Sequence, residues 1–281
     1  MTSMILVPVI PFLLILGIGY YYFTTSLEAN TISGMKRVVD DHRQMIDSFL
    51  RERKGDLEFI LHSYAFEYLG APHKLSEVFG RLQKQSNAFV DLGVFDEEGV
   101  HVAYQGPFKL TGRVYNQSDW FKAVISHGYY MSDIFLGYRR IPHFVIALAK
   151  EEQGKKWVIR ATIDTYMFNN LVKKVRIGKT GEAYIINKKG IFQTERRSGG
   201  NLMGKDPDNL KYPAKQSGIN TFIEKDAKGE RYLYATTRLR DKDWLLVVRQ
   251  EKSDAFSALR RAAYLIVLIS LLGGGAIMTT A

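Results

Sequence analysis

The sequence predicts an α+β protein with two successive five-stranded antiparallel sheets, a long N-terminal helix and an apolar segment at each end. Three observations carry this. Residues 4–23 and 262–281 are each 20 residues without a charge, the length that crosses a ~30 Å hydrocarbon layer at ~1.5 Å per residue. Apolar residues within 28–61 recur mostly every three or four positions, the helical period. From Asn87 onward the pattern changes to short runs bounded by turn residues. There the order hairpin, helical or loop segment, three strands occurs twice.

The apolar segments frame the rest. All 39 Lys and Arg and all 29 Asp and Glu lie in residues 27–261, so the formal charge of +10 belongs wholly to that stretch. Its composition, 24% charged and 46% hydrophobic for the whole chain, is that of a folded domain and excludes a disordered stalk. The basic balance fits a solvated surface, attraction to anionic lipid head groups, or a preference for anionic ligands. Nucleic acid is not expected, because the longest basic runs are pairs such as Lys36-Arg37 and no binding motif accompanies them. The absence of cysteine excludes disulfides, thiolate metal sites and cysteine nucleophiles.

The first apolar segment reads as a retained membrane anchor. Met1-Thr2-Ser3 lacks the basic start of a signal peptide, and Tyr20-Tyr21-Tyr22-Phe23 suits an interfacial aromatic belt. With the second segment as another span, the expectation is a two-pass protein of the inner (plasma) membrane with residues 28–261 outside the cytoplasm.

The elements follow in order. A helix is expected over 28–61, carrying Ile32, Met35, Val38, Val39, Met45, Ile46, Phe49 and Leu50. It would serve as a rod or a dimer seam, or pack its stripe on its own domain. A shorter helix covers 75–85. Residues 88–95 and 100–104 read as a hairpin around Asp96-Glu97-Glu98-Gly99. Asn116 or Ser118 would cap a short helix through Ser126, with Trp120, Phe121 and Val124 on one face. Strands are expected at 129–136, 143–150 and 156–163, the last two joined by the solvated turn Glu151-Glu152-Gln153-Gly154. Asp164 caps a helix to about Val175. The second unit has strands at 183–186, 191–194, 218–223, 231–237 and 244–249. Ser253 caps a helix that runs into the second span. The division is 4–23, first span; 28–87, long and connecting helices; 88–175, first unit; 176–252, second unit; 253–281, helix and second span.

This layout resembles a double Cache domain, the tandem PAS-like sensor module found outside the membrane in bacterial receptors. The likeness rests on the span and long helix, the hairpin Asp91-Leu92-Gly93-Val94-Phe95-Asp96-Glu97-Glu98-Gly99, and Asp119-Trp120-Phe121 in the short helix. It also rests on Tyr130-Met131-Ser132-Asp133, Asp164 closing the fifth strand, and Gly178-Lys179-Thr180-Gly181-Glu182-Ala183-Tyr184 opening a shorter second unit. The run from Ser132 to Phe144 resembles a subgroup attached to sensor histidine kinases. The resemblance implies two PAS-like units, with the ligand in the membrane-distal one. In amino-acid-sensing members an Arg two positions before the helix Trp grips the ligand carboxylate; here that position is Ser118. Such members also carry Asp two positions after the strand Tyr; here that is Ser132. Asp164 matches the Asp that meets the amino group. Half of that constellation is missing, which disfavours an ordinary α-amino acid.

Eight residues are candidates for ligand contact. Trp120 and Phe121 wall a pocket or pack a core. Tyr130 offers a phenol or faces the core. Asp133 accepts from a ligand ammonium or bonds to a turn, and Asp164 touches ligand or only caps its helix. Arg139, Arg140 and His143 sit at a predicted hairpin over the pocket mouth, where their charge would replace the missing Arg in holding a carboxylate; otherwise they are solvated turn residues, with His143 also a candidate pH-sensitive group. The six histidines show no metal-ligand spacing, and no nucleophile elbow, phosphate loop or dinucleotide fingerprint occurs. No metal, cofactor or catalysis is therefore expected of residues 1–281. The functional expectation is a sensor of a small organic anion, homodimeric through its first helix, with an output domain beyond Ala281, a histidine kinase before a chemoreceptor or diguanylate cyclase. The rival is a membrane-anchored binding or scaffolding protein complete at Ala281.

Overall fold

The computed structural model describes residues 2–175, 177–213 and 218–280, and the side chains among them except those of 2–9, 274 and 276–280. The expected opening of the second unit at 176 and the end of the last span at 281 lie outside the described residues. Helix α1 (Thr2–Ser63) joins the first apolar segment and the expected long helix into one rod of 62 residues, about 90 Å at 1.5 Å per residue. Met35, Val39, Ile46, Leu50, Leu57 and Leu61 are buried. Their alternating spacing of four and seven lays one stripe along the helix, and that stripe packs on the protein's own strands. Short α2 (Phe66–Gly70) and α3 (Pro72–Gln85) follow.

The first sheet contains β1 (Phe89–Phe95), β2 (His101–Gln105), β3 (Tyr129–Met131), β4 (Phe144–Glu152) and β5 (Lys155–Ile163), antiparallel in the order β2-β1-β5-β4-β3. Helix α4 (Asp119–His127) precedes β3, and α5 (Thr165–Lys173) follows β5. The second sheet contains β6 (Glu182–Asn187), β7 (Asn220–Lys225), β8 (Arg231–Arg238) and β9 (Trp244–Glu251), in the order β6-β9-β8-β7. In each sheet the first strand returns to pair with the last. Three turns share one device: a side-chain oxygen of Asp96, Asn187 or Asp226 accepts from the backbone N–H four residues on, at 2.8, 3.0 and 3.0 Å. Asp and Asn favour turns for this reason.

Four expectations are corrected. The second sheet has four strands, because 191–194 stays beside β6 only through the bridge Ile186–Phe192, with the N–H groups of Asn187 and Gln193 donating to the carbonyls of Ile191 and Ile185 at 3.0 and 2.8 Å. Ile185 N–H donates to the Thr194 hydroxyl at 2.8 Å in place of a backbone acceptor, and Gln193 turns its side-chain amide oxygen to Ile134 N–H, in the segment between the strands ending at Met131 and starting at Phe144, at 2.8 Å. β3 stops at Met131 instead of Leu136, because the Ser132 hydroxyl takes the Val145 N–H and the chain peels away. Ser253 caps nothing: α6 (Lys252–Ala255) breaks at buried Phe256 before α7 (Ser257–Thr280) begins. Asp254 instead accepts from the backbone N–H groups of Lys179 and Thr180 at 2.7 and 3.0 Å, anchoring the root of α7 to the loop before β6. The Glu151-Glu152 pair is also not simply solvated, since Glu152 accepts from Trp157 Nε1 at 3.1 Å.

The core runs unbroken through both sheets. At its centre Phe144, Phe168 and Trp244 meet at centroid distances of 5.2 to 5.8 Å, each such burial contributing about 1.5–3 kcal/mol. Helix α7 returns beside α1, and Phe12 lies against Gly273. Among the described residues one helix, α1, is long and apolar enough to cross a membrane.

Candidate ligand-binding cavity

A cavity of about 380 Å³ opens on the face of the first sheet away from α1. Its floor is set by strand alternation. In β5, Trp157, Ile159, Ala161 and Ile163 join the main core, while Val158 and Arg160 face the opposite side. Leu110, Tyr115 and Ser118 form one wall, and Trp120 rises from the first turn of α4. The excursion between β3 and β4 supplies Phe135, Gly137, Tyr138, Arg139 and His143.

Arg160 is the dominant charge. It is 4% exposed, and its guanidinium lies over the rings of Phe95, Tyr115 and Trp120 at 4.8, 5.1 and 4.7 Å. Its Nε has no hydrogen-bond partner. Burial pushes it below the usual arginine range, with Asp91 and Tyr115 acting the other way; arginine still stays charged. Arg139 is matched instead. It pairs with the buried Asp91 carboxylate, which also accepts from the Tyr104 hydroxyl at 3.1 Å. Arg139 also donates to His143 Nε2 at 2.8 Å, and His143 Nδ1 donates to the Ile141 carbonyl at 2.8 Å. Those two bonds fix a neutral tautomer. Burial, assisted by Arg139, holds His143 down at about 4. Beneath lies His101, fully buried and stacked on Phe95 at 4.1 Å.

Of the eight sequence candidates, the fold brings together Trp120, Arg139 and His143. The other five lie elsewhere. Phe121 is buried among Phe95 and Val124, and half-buried Tyr130 packs on that same cluster. Asp133 faces the second sheet, accepting from Trp244 Nε1 at 2.7 Å and Asn187 Nδ2 at 2.9 Å, with Lys242 at 3.2 Å. Arg140 is exposed at the end of the short turn. Asp164 caps α5, accepting from Tyr166 and Met167 N–H. Arg160, Tyr115, Phe135 and Tyr138 were not singled out from the sequence. Arg160 had a signal: it is the one charge inside the run Trp157–Ile163.

The second sheet matches its arginines internally. Arg249 Nε donates to Glu182 at 2.7 Å, and its other nitrogens reach Ser198, Tyr234 and Asp208. Arg196 pairs with Asp206 and Asp208 at 3.3 and 3.2 Å. Another opening, about 420 Å³ at the meeting of α1 with α6 and α7, presents Glu28, Arg231 and Arg260, all solvent-exposed. Among the described residues no His, Asp or Glu cluster is arranged to hold a metal.

Comparison with known proteins agrees with this architecture. No curated protein sequence matches the chain. The sensory domain of the Campylobacter jejuni chemoreceptor Tlp3 with isoleucine bound superposes with a TM-score of 0.62 at 14% identity, covering 83% of this chain and 97% of that one. The ligand-binding domain of the Pseudomonas aeruginosa amino-acid chemoreceptor PctB, in complex with L-arginine, gives 0.63 at 12% identity, over 80% and 96%. The extracellular domain of the putative histidine kinase mmHK1S-Z3 gives 0.63 at 12% identity, over 81% and 97%. At these identities the likeness is one of fold. The family model for the Cache domain matches residues 23–259, and the chain belongs to that family of sensor domains.

Proposed function

We propose that this chain is the extracytoplasmic sensor region of a transmembrane receptor, and that it binds a small organic anion in the cavity floored by Arg160. The observation that carries the reading is the buried Arg160 guanidinium lining the cavity, which forms no ion pair among the described residues while the nearby Asp91 carboxylate is held by Arg139. A buried charge is costly unless it is matched, and a bound carboxylate would match it bidentately. In this reading the first sheet with its helices is the membrane-distal PAS-like unit and the second sheet the membrane-proximal one. α1 and α7 both cross the membrane, two copies pair along α1, and the output is a histidine kinase or chemoreceptor. The break at Phe256, anchored by Asp254, supports a route from the second sheet to α7. A ligand shifts such a route only by its differential affinity for two states.

The test is a thermal-shift screen of the full chain in detergent micelles with small carboxylates and small amines. A carboxylate at 100 times its Kd should add about 2.7 kcal/mol and raise the midpoint. A shift by amines alone would sink the anion reading.

A further inference from the structure

The charges around the cavity narrow the ligand class further, given the anion site just proposed. No aspartate or glutamate lines the cavity. The nearest acid, Asp91, is 1% exposed and closed off by Arg139 and Tyr104. Asp133 and Asp164 are held by Trp244 and by the α5 backbone. His143 has its ring lone pair engaged by Arg139.

An ammonium group could also settle on aromatic faces, but these are taken. Arg160 covers Trp120 and Tyr115, Arg113 covers Tyr138 at 4.4 Å, and Phe135 packs on His143 at 4.4 Å. What remains is donor capacity: the buried Nε of Arg160 and that of Arg139 have no hydrogen-bond partner among the described residues. Since Arg139 is already neutralised by Asp91, one positive charge is left to match.

We infer that the cavity takes a monocarboxylate with no ammonium group, seated on Arg160 with an apolar or aromatic remainder toward the Leu110 wall. It rejects the corresponding α-amino acid, because the ammonium would be desolvated beside a guanidinium with no carboxylate in the lining to match its charge.

The experiment compares matched pairs on the unaltered full chain in micelles by isothermal titration: 3-phenylpropanoate against L-phenylalanine, and 4-methylpentanoate against L-leucine. At least one des-amino acid should bind at least 100-fold more tightly than its amino acid. R160Q should weaken that acid at least tenfold, while R140Q, exposed and off the cavity, leaves it unchanged. Because the pairs are compared on the unaltered chain, misfolding of a variant cannot mimic the result. An amino acid binding within tenfold of its acid overturns this inference and leaves the anion site standing. Binding by neither member of either pair overturns both. Binding of the acid that survives R160Q in a folded variant places the anchor elsewhere and overturns the assignment.

Discussion

Asp133, two residues past the end of β3, accepts a hydrogen bond from Trp244 Nε1 of β9 at 2.7 Å across 111 residues of sequence. The same carboxylate holds Asn187 of β6 and meets Lys242, while Lys242 also donates to the Met131 carbonyl at 2.7 Å. The segment that supplies Tyr138, Arg139 and His143 to the cavity is thus fastened at its root to the second sheet. Burial pushes the Asp133 carboxyl up, but the donors from Trp244, Lys242 and Asn187 prevail and hold it below the ordinary carboxylate range.

Replacing that carboxylate should loosen the junction. Asp133→Ala leaves the indole N–H of fully buried Trp244 without its acceptor, which costs about 1–2 kcal/mol. Asp133 itself is half exposed, so the loss belongs at the low end. Urea unfolding followed by tryptophan fluorescence should show a lower midpoint at unchanged slope. An unchanged midpoint would mean that the bond contributes nothing to the junction.

What the sequence reveals divides along range. The Asp164 cap and the Asp96 turn are legible because donor and acceptor lie within four residues. The succession of strands along the chain in the first unit follows from period and turn chemistry, but their order in the sheet does not. Asp133 is illegible in this way, since its partners lie 54 and 111 residues away. Arg160 is hidden for another reason: alternation assigns it to a face, but whether that face meets solvent or a cavity depends on the excursion after β3. The fifth strand of the second sheet shrinks to the single bridge Ile186–Phe192 because the Thr194 hydroxyl takes the Ile185 N–H in place of a ladder carbonyl, which no propensity records.

Acidification should destabilise the fold through its buried histidines. An unfolded histidine takes up its proton near pH 6.5. Burial, with Arg160 and Arg139 adding to it, delays this in His101 to about 3, and burial holds His143 at about 4. Burial also lowers His42. Between these values the unfolded chain binds more protons than the folded one, so stability is full above pH 6.5 and falls as pH drops toward 4. The slope is at most about 1.4 kcal/mol per pH unit for each histidine. Urea midpoints at pH 7.5 and 5.5 should differ accordingly, and His101→Gln should shrink the difference; an equal difference in the variant would rule out His101 as a contributor.

The second sheet should be sensitive to its central arginine. Arg249 is 1% exposed and joins Glu182, Asp208 and Tyr234. Arg249→Ala leaves the buried Glu182 carboxylate without its cation, while Asp208 keeps Arg196 and Lys211, and breaking a buried pair from one side costs about 3–5 kcal/mol. Arg249→Lys keeps a charge but loses the planar fork, so it should recover only part of the loss. Thermal unfolding of the three proteins orders them as wild type, lysine, alanine. A lysine variant as stable as the wild type would show that charge alone, without fork geometry, suffices.

Gly137 offers the sharpest test of the excursion over the cavity. Its φ is +53°, and a Cβ there would stand 2.9 Å from the Phe135 ring and 3.2 Å from the His143 ring. Gly137→Ala must therefore strain the backbone, at a cost of about 1–3 kcal/mol, and push apart two side chains that line the cavity. The same displacement disturbs the His143 ring that receives Arg139. Lower thermal stability and weaker carboxylate binding should appear together. The control Gly112→Ala sits at a similar φ of +80° with nothing within 4 Å, so it should carry the backbone cost without the binding loss. If the two variants lose affinity equally, or neither does, the excursion does not shape the site.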